Sequence, residues 1–402
     1  MGISTTAAAW TGRREERRQR AVDSLALDPG RDARFNRITR LARTALRVDW
    51  SSITVLDRDR AFFPGADGFD ITEMARQDTF CDRTTEDDRL TLVEDATRDP
   101  RYAELPAVLD SGIRFYAGVP LRDSLGNNVG VFCVYDTEPR TLSDDELESF
   151  QDLAAWAEQE LVASSERAQA GMIQAALLPA APVRVDDWDV NGACLPALAV
   201  GGDFYDYGAS QGVLHLGLGD VMGKGAGAAM VGAGVRTTMR ATHQAVVAGA
   251  DLGTVTTEVA AALETDLDRA GSFACVFQAA LDLADGTLRY VDAGLGLALV
   301  VRADGTHERL TARDRPIGLL PDDHWTEQST VLAPGDRLLV FSDGLVDLLD
   351  DPVAWEEPVA ALVAEHAEAA ALLSSIAELA AERVATDDVT ALAVFRRGEG
   401  GA

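Results

Sequence analysis

Four short motifs in the second half of the chain have the residue types and spacing of a carboxylate metal site. They are Gly-Gly-Asp203-Phe-Tyr-Asp, Gly-Asp220-Val-Met-Gly-Lys-Gly, Phe-Ser-Asp343-Gly and Asp387-Asp388-Val-Thr. In each motif an aspartate stands beside glycine or abuts an apolar strand pattern, and glycine lets the backbone turn sharply and a ligand approach closely. One Asp next to Gly usually marks only a turn. Four of them at strand ends predict a single shared site.

The chemistry of such a site follows from its charge. Converging carboxylates repel one another unless cations lie between them. Ligation by oxygen alone selects hard ions such as Mg²⁺ or Mn²⁺ rather than zinc, and the five histidines show no zinc-ligand spacing. Two such ions about 3.5–4 Å apart activate water for hydrolysis of phosphate esters. The motifs therefore favour metal-dependent phosphate-ester hydrolysis without a Ser or Cys nucleophile.

The loop after Asp220 contains Lys224, the only lysine among 36 basic residues. Because a compact ammonium differs from a planar guanidinium, we hypothesise that this loop needs lysine to shape the backbone or to contact a phosphate oxygen. Chance retention is the alternative. A dinucleotide-binding loop at 217–223 is disfavoured, because Asp220 would lie where a pyrophosphate binds.

Composition restricts the class of protein. The 402 residues, with 47% hydrophobic and 25% charged side chains, indicate a folded chain of two or three domains. The formal net charge of −30 argues against a nucleic-acid partner. Four cysteines without CxxC spacing, no apolar signal core and no apolar run long enough to span a membrane predict a cytoplasmic protein with no membrane partner.

Sequence patterns divide the chain into five segments. The predicted boundaries are a solvated basic tail at 1–22, a mixed α and β unit at 23–145, a linker helix at 146–182, a second unit at 183–396, and a disordered tail at 397–402. The second unit combines strands joined by short turns, which indicate antiparallel pairing, with helices predicted over 226–247, 253–269 and 353–384. The fold class predicted for the whole chain is α+β.

The linker helix has a clear start and a repeating apolar pattern. Ser143 and Glu146 have the spacing of a capping box. Apolar and small residues then recur in steps of three and four from Leu147 to Leu178, which is typical of a coiled-coil seam. We therefore predict a homodimer that pairs along this seam. An ordinary amphipathic linker helix is the alternative.

The ordered set VGGDFYD, GDVMGKG, GDRLLVFSDGL and DDVT resembles the PPM-type serine/threonine phosphatases, in the bacterial branch named after stage II sporulation protein E. The match covers roughly 175–396. The resemblance implies an α-β-β-α sandwich that holds two Mn²⁺ or Mg²⁺ ions. Where many members have an Asn-x-Gly-His-x-Pro turn, this chain has Asp292-Ala-Gly-Leu-Gly, so contacts or rigidity at that turn are expected to differ.

The resemblance also implies roles for individual residues. In the last motif Asp387 matches the ligand position better than Asp388, and the carbonyl of Val221 is a further oxygen donor. The predicted metal ligands are Asp203, Asp220, Val221, Asp343, Asp387 and Asp388, and the predicted catalytic residues are Asp203, Asp220 and Lys224.

Residues 23–165 resemble a GAF sensory domain, on the segments Thr79-Phe-Cys81, VEDATRDPRY, IRFYAGVPL and NNVGVFCVYDTEPRTLSDDELESF. All histidines lie at or beyond His215, which excludes a His-ligated haem here. Cys81 could tether a chromophore, but we expect it to be a small core residue. A small-molecule ligand and a purely structural dimer module both remain open.

Together these features predict a metal-dependent phosphoserine/phosphothreonine protein phosphatase. The resemblance implies that its substrate is a phosphorylated STAS-domain anti-anti-sigma factor, in a partner-switching pathway that controls transcription, with the GAF domain regulating activity through the linker helix. The alternative is a non-catalytic GAF sensor whose degenerate phosphatase domain holds a partner.

Overall fold

The computed structural model of the chain describes residues 3–25, 27, 30–311, 313–383 and 385–398. Most of the tail predicted at 397–402 therefore lies outside the described residues. The chain divides into two compact units, Met1–Gln169 and Ala170–Ala402. Within the described residues, no helix is both long and apolar enough to cross a membrane.

The first unit is built on one antiparallel sheet. Its elements are α1 (Ile3–Ser24), α2 (Ala33–Leu46), β1 (Trp50–Asp57), β2 (Arg60–Asp67), β3 (Glu73–Ala75), α3 (Phe80–Asp87), β4 (Thr91–Val93), α4 (Pro106–Leu109), β5 (Phe115–Arg122), β6 (Asn128–Asp136) and the start of α5 (Asp144–Leu177). The strand order is β3-β2-β1-β6-β5-β4.

Alternation along the strands gives this sheet two buried faces. On one face Phe132 packs in a core with residues of α1, α2 and α5. On the other face Cys133 joins Phe80, Cys81 and Tyr116 in a second core. Cys81 is 1% exposed, and its Sγ lies 3.2 Å from that of Cys133, so its expected role as a core residue is confirmed.

The prediction of a solvated tail at 1–22 is wrong for its second half. The tail is helical, and Ala21 and Val22 belong to the core beneath α2 and α5. Arg18 is only 5% exposed, and its guanidinium donates a 2.5 Å hydrogen bond to the carbonyl of Leu56. A charge run can cover apolar surface because arginine buries its aliphatic stem while its head finds a partner.

The linker helix starts as predicted but packs differently. The backbone N–H of Ser143 donates to Glu146 Oε2 at 2.9 Å and that of Glu146 to Ser143 Oγ at 3.3 Å, so the capping box is confirmed. The seam residues Phe150 and Leu161 are fully buried in the core of their own chain. This half of the seam cannot pair with a second copy, which corrects the coiled-coil prediction there and leaves the dimer a prediction.

The second unit contains two antiparallel sheets. After the end of α5 its elements are β7 (Val183–Val185), β8 (Trp188–Leu195), β9 (Phe204–Ser210), β10 (Val213–Val221), α6 (Ala226–Ala241), α7 (His243–Val247), α8 (Leu252–Ala270), β11 (Ala274–Asp282), β12 (Thr287–Ala293), β13 (Ala298–Val301), β14 (His307–Leu310), β15 (Gln328–Val331), β16 (Arg337–Phe341), α9 (Asp343–Asp347), α10 (Glu356–Ala364), α11 (Ala369–Arg383) and β17 (Val389–Arg396). The strand orders are β15-β12-β11-β10-β9 and β14-β13-β16-β17-β8-β7.

The two sheets pack face to face, and helices cover both outer faces. Leu216 and Phe277 of the first sheet share a buried core with Val340 and Leu392 of the second. The outer face of the first sheet packs against α6, α7 and α8, and that of the second against α10 and α11. The unit is thus an α-β-β-α sandwich, as the resemblance implies.

Two predicted helices are interrupted. The helix expected at 226–247 breaks between α6 and α7, where the side chain of Thr242 bonds to the carbonyl of Met239. The helix expected at 353–384 is two helices, because Asp189 Oδ2 on β8 accepts the N–H of Ala369 at 2.9 Å and starts α11 there. A carboxylate supplied from a distant strand is invisible to helical periodicity.

Candidate metal centre

The register of β9 and β10 carries two of the predicted aspartates to the same edge of the sandwich. Leu216 and Leu218 of β10 face the inter-sheet core, and alternation places Asp220 on that same side near the strand end. Tyr205 and Tyr207 of β9 also face this core, so Asp203, just before β9, has the same facing. The two strands are hydrogen-bonded neighbours.

The second sheet brings its aspartates to this edge through β16 and β17. Asp343 is the first residue of α9 and follows β16 directly. Asp388 immediately precedes β17. Ser342 ties the two segments together, because its hydroxyl donates to the carbonyl of Asp388 at 3.1 Å and accepts the N–H of Thr390 at 2.9 Å.

The carboxylates at this edge affect one another electrostatically. Burial, together with the charge of Asp220, raises the pKa of Asp203 well above its usual range. Burial and the charges of Asp343 and Asp387 raise the pKa of Asp220 to about 6. The pKa of Asp343 is raised by burial and by Asp387. Carboxylates that are distant in sequence thus repel one another at this edge, and a bound cation would offset that repulsion.

One atom of this group tests directly whether cations fit. Asp203 is 2% exposed, and its Oδ2 is buried without a hydrogen-bond partner. Leaving a buried acceptor unpaired costs about 1–3 kcal/mol, and more when it is charged. Asp220 is half-buried and Asp343 is exposed, so the edge opens toward solvent on one side. A buried unpaired oxygen among open carboxylates fits a site for hard cations.

The carboxylates at this edge do not form one tight group of ligands. Among the described residues, these aspartates include no three whose ligand atoms all lie within 4.8 Å of one another. Ligands around one small ion would crowd more closely than that. The number of ions held here stays a prediction.

The two adjacent aspartates of the last motif have different environments. Asp388 is 4% exposed, and its two oxygens accept the N–H groups of Ala197 and Gly202, each at 2.8 Å. Asp387 is half-buried and carries an ion pair with Lys224 at 2.9 Å. Asp388 therefore positions the loop before β9, while the charge of Asp387 acts on Asp220 and Asp343.

Lys224 lies at this edge, but its contacts are with protein. Its Nζ donates to Asp387 Oδ2 at 2.9 Å and to the carbonyl of Thr386 at 2.7 Å. The side chain is exposed, and Asp387 raises its pKa. Lysine thus bridges the loop after β10 and the loop before β17.

Three glycines of the aspartate motifs allow the close packing here. A side chain on Gly201 would collide with the Asp388 carboxylate, and one on Gly202 would lie 2.6 Å from the carbonyl oxygen of Val221. A side chain on Gly344 would collide with the carbonyl of Asp388. The signal was already present in the double glycine before Asp203. Gly202 thereby leaves room beside the Val221 carbonyl.

Asp292, at the turn that departs from the family pattern, is fully buried. Its Oδ1 accepts the N–H groups of Leu295 at 2.8 Å and Gly296 at 3.1 Å. Burial nevertheless raises its pKa to about 6. The carboxylate thus holds the β12–β13 turn.

Comparison with known proteins matches both units. Residues 210–397 match the family model described as stage II sporulation protein E, and residues 30–161 match the GAF domain model. A phosphoserine phosphatase, RsbU of Bacillus subtilis, is 24% identical over 204 residues, which cover 50% of this chain and 60% of that protein. A cyclic di-GMP phosphodiesterase of Pseudomonas aeruginosa is 39% identical over 128 residues, which cover 31% of this chain and 22% of that protein. The chain thus spans less than two thirds of either relative.

Among solved structures, the RsbU and RsbW domains of a Mycobacterium tuberculosis protein align with 29% identity and a TM-score of 0.47, covering 54% of this chain and 62% of that one. The two family models carry the assignment, since they match consecutive parts of the chain in the predicted order. The chain therefore joins a GAF domain to a PPM-type phosphatase domain of the stage II sporulation protein E family.

Proposed function

We propose that this chain is a metal-dependent phosphoprotein phosphatase that hydrolyses phosphoserine and phosphothreonine. The observation that supports this most directly is the buried, unpartnered Oδ2 of Asp203 within a group of carboxylates of raised pKa. In this proposal Asp203, Asp220, Asp343 and Asp387 hold two Mn²⁺ or Mg²⁺ ions. When bound, such ions supply Lewis acidity and lower the pKa of a coordinated water.

The chain's own residues give the reaction its geometry. Asp203, just before β9, and Asp220, on the neighbouring β10, fix the inner wall of the site. Asp343 and Asp387 complete it from the opposite sheet, and the open side admits a phosphorylated side chain. Lys224 is proposed to position Asp387 through their 2.9 Å ion pair, which makes it a positioning residue in place of the catalytic role first predicted.

The test is phosphate release from a phosphoserine peptide by the purified full chain, with Mn²⁺ or with chelator. We expect activity only with metal, and its loss in Asp220→Asn and Asp343→Asn. Asp322→Asn is the matched control, because Asp322 is exposed and adopts a left-handed conformation that asparagine tolerates. Wild-type activity in both site variants would reject the proposal, and inactivity of the wild-type chain with either ion would favour a non-catalytic partner-binding protein.

We propose further that the substrate is a phosphorylated STAS-domain anti-anti-sigma factor. The support is the family resemblance together with the related phosphoserine phosphatase of Bacillus subtilis. A gel that separates phosphorylated from unphosphorylated STAS protein tests this proposal. Hydrolysis of the peptide without hydrolysis of STAS proteins would reject the proposed substrate but leave the proposed phosphatase activity in place.

We propose that the GAF domain regulates this activity through a small molecule. A groove of about 460 Å³ in the first unit is lined mainly by apolar side chains, among them Trp50, Phe63, Met74 and Ile113. Ala107 also lines it and is half-exposed. Filling the groove with Ala107→Phe is expected to change turnover at least twofold without changing Mn²⁺ affinity. Unchanged turnover would contradict regulation through this groove.

A further inference from the structure

A second polar cluster lies on the opposite face of the strands that carry the aspartate centre. Asp206 of β9 and His215 of β10 point toward the helices, because their strand neighbours Tyr205 and Leu216 point into the inter-sheet core. His243 is the first residue of α7 and belongs to the helical layer on that side of the sheet. Three segments that are distant in sequence thus place one carboxylate and two imidazoles together.

The three side chains lie close enough together to hold one ion. One ligand atom from each of Asp206, His215 and His243 lies within 4.8 Å of the other two. His243 Nε2 is 3.7 Å from Asp206 Oδ2. Ligands about 2.0–2.2 Å from one tetrahedral ion lie about 3.4 Å apart, so this pair is already close to that separation.

Ligand atoms of Asp206 and His215 also lack other partners. Asp206 is 4% exposed and its Oδ2 is buried without a hydrogen bond, as are both Nδ1 and Nε2 of His215. Native structures rarely leave several adjacent polar atoms unpaired, since each costs about 1–3 kcal/mol. Gly208 makes the space for this arrangement, because a side chain there would lie 2.7 Å from the His215 ring.

The surroundings indicate which class of ion fits. Arg236 and Arg240 donate to Asp206 Oδ1 at 3.0 and 2.7 Å, which fixes the carboxylate and leaves Oδ2 directed toward the rings. The positive charges of Arg236 and Arg240 repel a hard cation that would be held by electrostatic attraction alone. An ion that bonds to neutral imidazole nitrogen is favoured instead, and burial lowers the pKa of His215 to about 3, which keeps that ring neutral.

We propose that Asp206, His215 and His243 bind one transition-metal dication of the Zn²⁺ type, at a site separate from the aspartate centre. The ion would tie β9, β10 and α7 together three residues from Asp203. Its expected consequence is a more stable phosphatase domain, because an ion that binds only the folded state stabilises it.

Cobalt(II) provides the spectroscopic probe, since imidazole-ligated four-coordinate Co²⁺ absorbs visible light. The metal-free full chain is titrated with Co²⁺ in excess Mg²⁺, which occupies the aspartate centre. We expect one equivalent of Co²⁺ to give the visible bands, and His243→Gln and His215→Ala to weaken binding by about tenfold or more. Asp220→Asn and the exposed His324→Ala are controls that keep the bands.

Thermal unfolding provides a second readout that does not depend on activity. Zn²⁺ is expected to raise the melting temperature of the wild-type chain and of Asp220→Asn, but not of His243→Gln. His243 is only half-buried, so this variant is expected to fold even if His215→Ala does not. Absence of the bands in the wild-type chain, their survival in His243→Gln, or their loss in Asp220→Asn would each overturn the proposal.

Discussion

Two regions of the phosphatase domain bury aspartates in opposite ways. At the edge that holds Asp203 and Asp220, carboxylates are packed beside one another, and Asp203 Oδ2 has no donor. In the nearby turns, Asp388 and Asp292 are buried as deeply, but each accepts two backbone N–H groups. Burial therefore does not identify a ligand aspartate. What distinguishes Asp203 is that one of its buried oxygens has no protein donor.

The largest effect is expected at the aspartate edge, where one substitution should lower activity and raise stability. Asp220→Asn should lower phosphatase turnover by about 10²–10³-fold or more, the loss typical when a key electrostatic group is removed. In chelator the same variant should unfold at a higher temperature than the wild type, because it removes a charge that its neighbours repel. Phosphate-release kinetics and thermal unfolding measure the two effects. A variant that is both active and less stable would erase the distinction between the two regions.

Asp388→Ala is expected to lower the stability of the domain, the opposite of the effect expected for Asp220→Asn in chelator. This change leaves the N–H groups of Ala197 and Gly202 without their acceptor, at a cost of about 1–3 kcal/mol for each buried group. For the two groups together, the melting temperature should fall by about 4–24 °C, at about 2–4 °C per kcal/mol for a domain of this size. Thermal unfolding in chelator is the measurement. An unchanged melting temperature would place Asp388 with the ligand aspartates.

A smaller and pH-dependent effect is expected at Asp292. Its folded pKa of about 6 lies above the ordinary value of 3.8, so the folded state binds more protons, and stability falls as the pH rises from about 4 to about 6. Asp292→Asn keeps an acceptor for the turn and removes the buried charge. The variant should exceed wild type by about 1–3 kcal/mol at pH 8, with the difference vanishing near pH 4. Urea unfolding across this pH range tests it, and a pH-independent difference would contradict the assignment.

The smallest expected effect concerns Lys224. Arginine keeps the charge but not the compact shape, so Lys224→Arg should disturb the 2.9 Å contact to Asp387 and lower turnover by about tenfold. Mn²⁺ affinity should weaken as well, because the role is to position a ligand. Titration of activity with Mn²⁺ separates the two parameters. Unchanged kinetics would mean that this lysine was retained by chance.

The sequence determined those features that depend on local patterns. The four motifs named the aspartates, and the capping box of Ser143 and Glu146 fixed the start of the linker helix. Such signals can be read from one short segment of the sequence, because a few adjacent residues carry all of the information.

Only the tertiary structure decided the features that depend on partners distant in sequence. The charged helix that buries Arg18, the seam that packs into its own domain and the backbone donors that occupy Asp388 each depend on which groups the fold brings near. The pairing of His215 with His243 is the clearest case. Their spacing of 28 positions resembles no metal motif, and they meet only because a strand and a helix pack together.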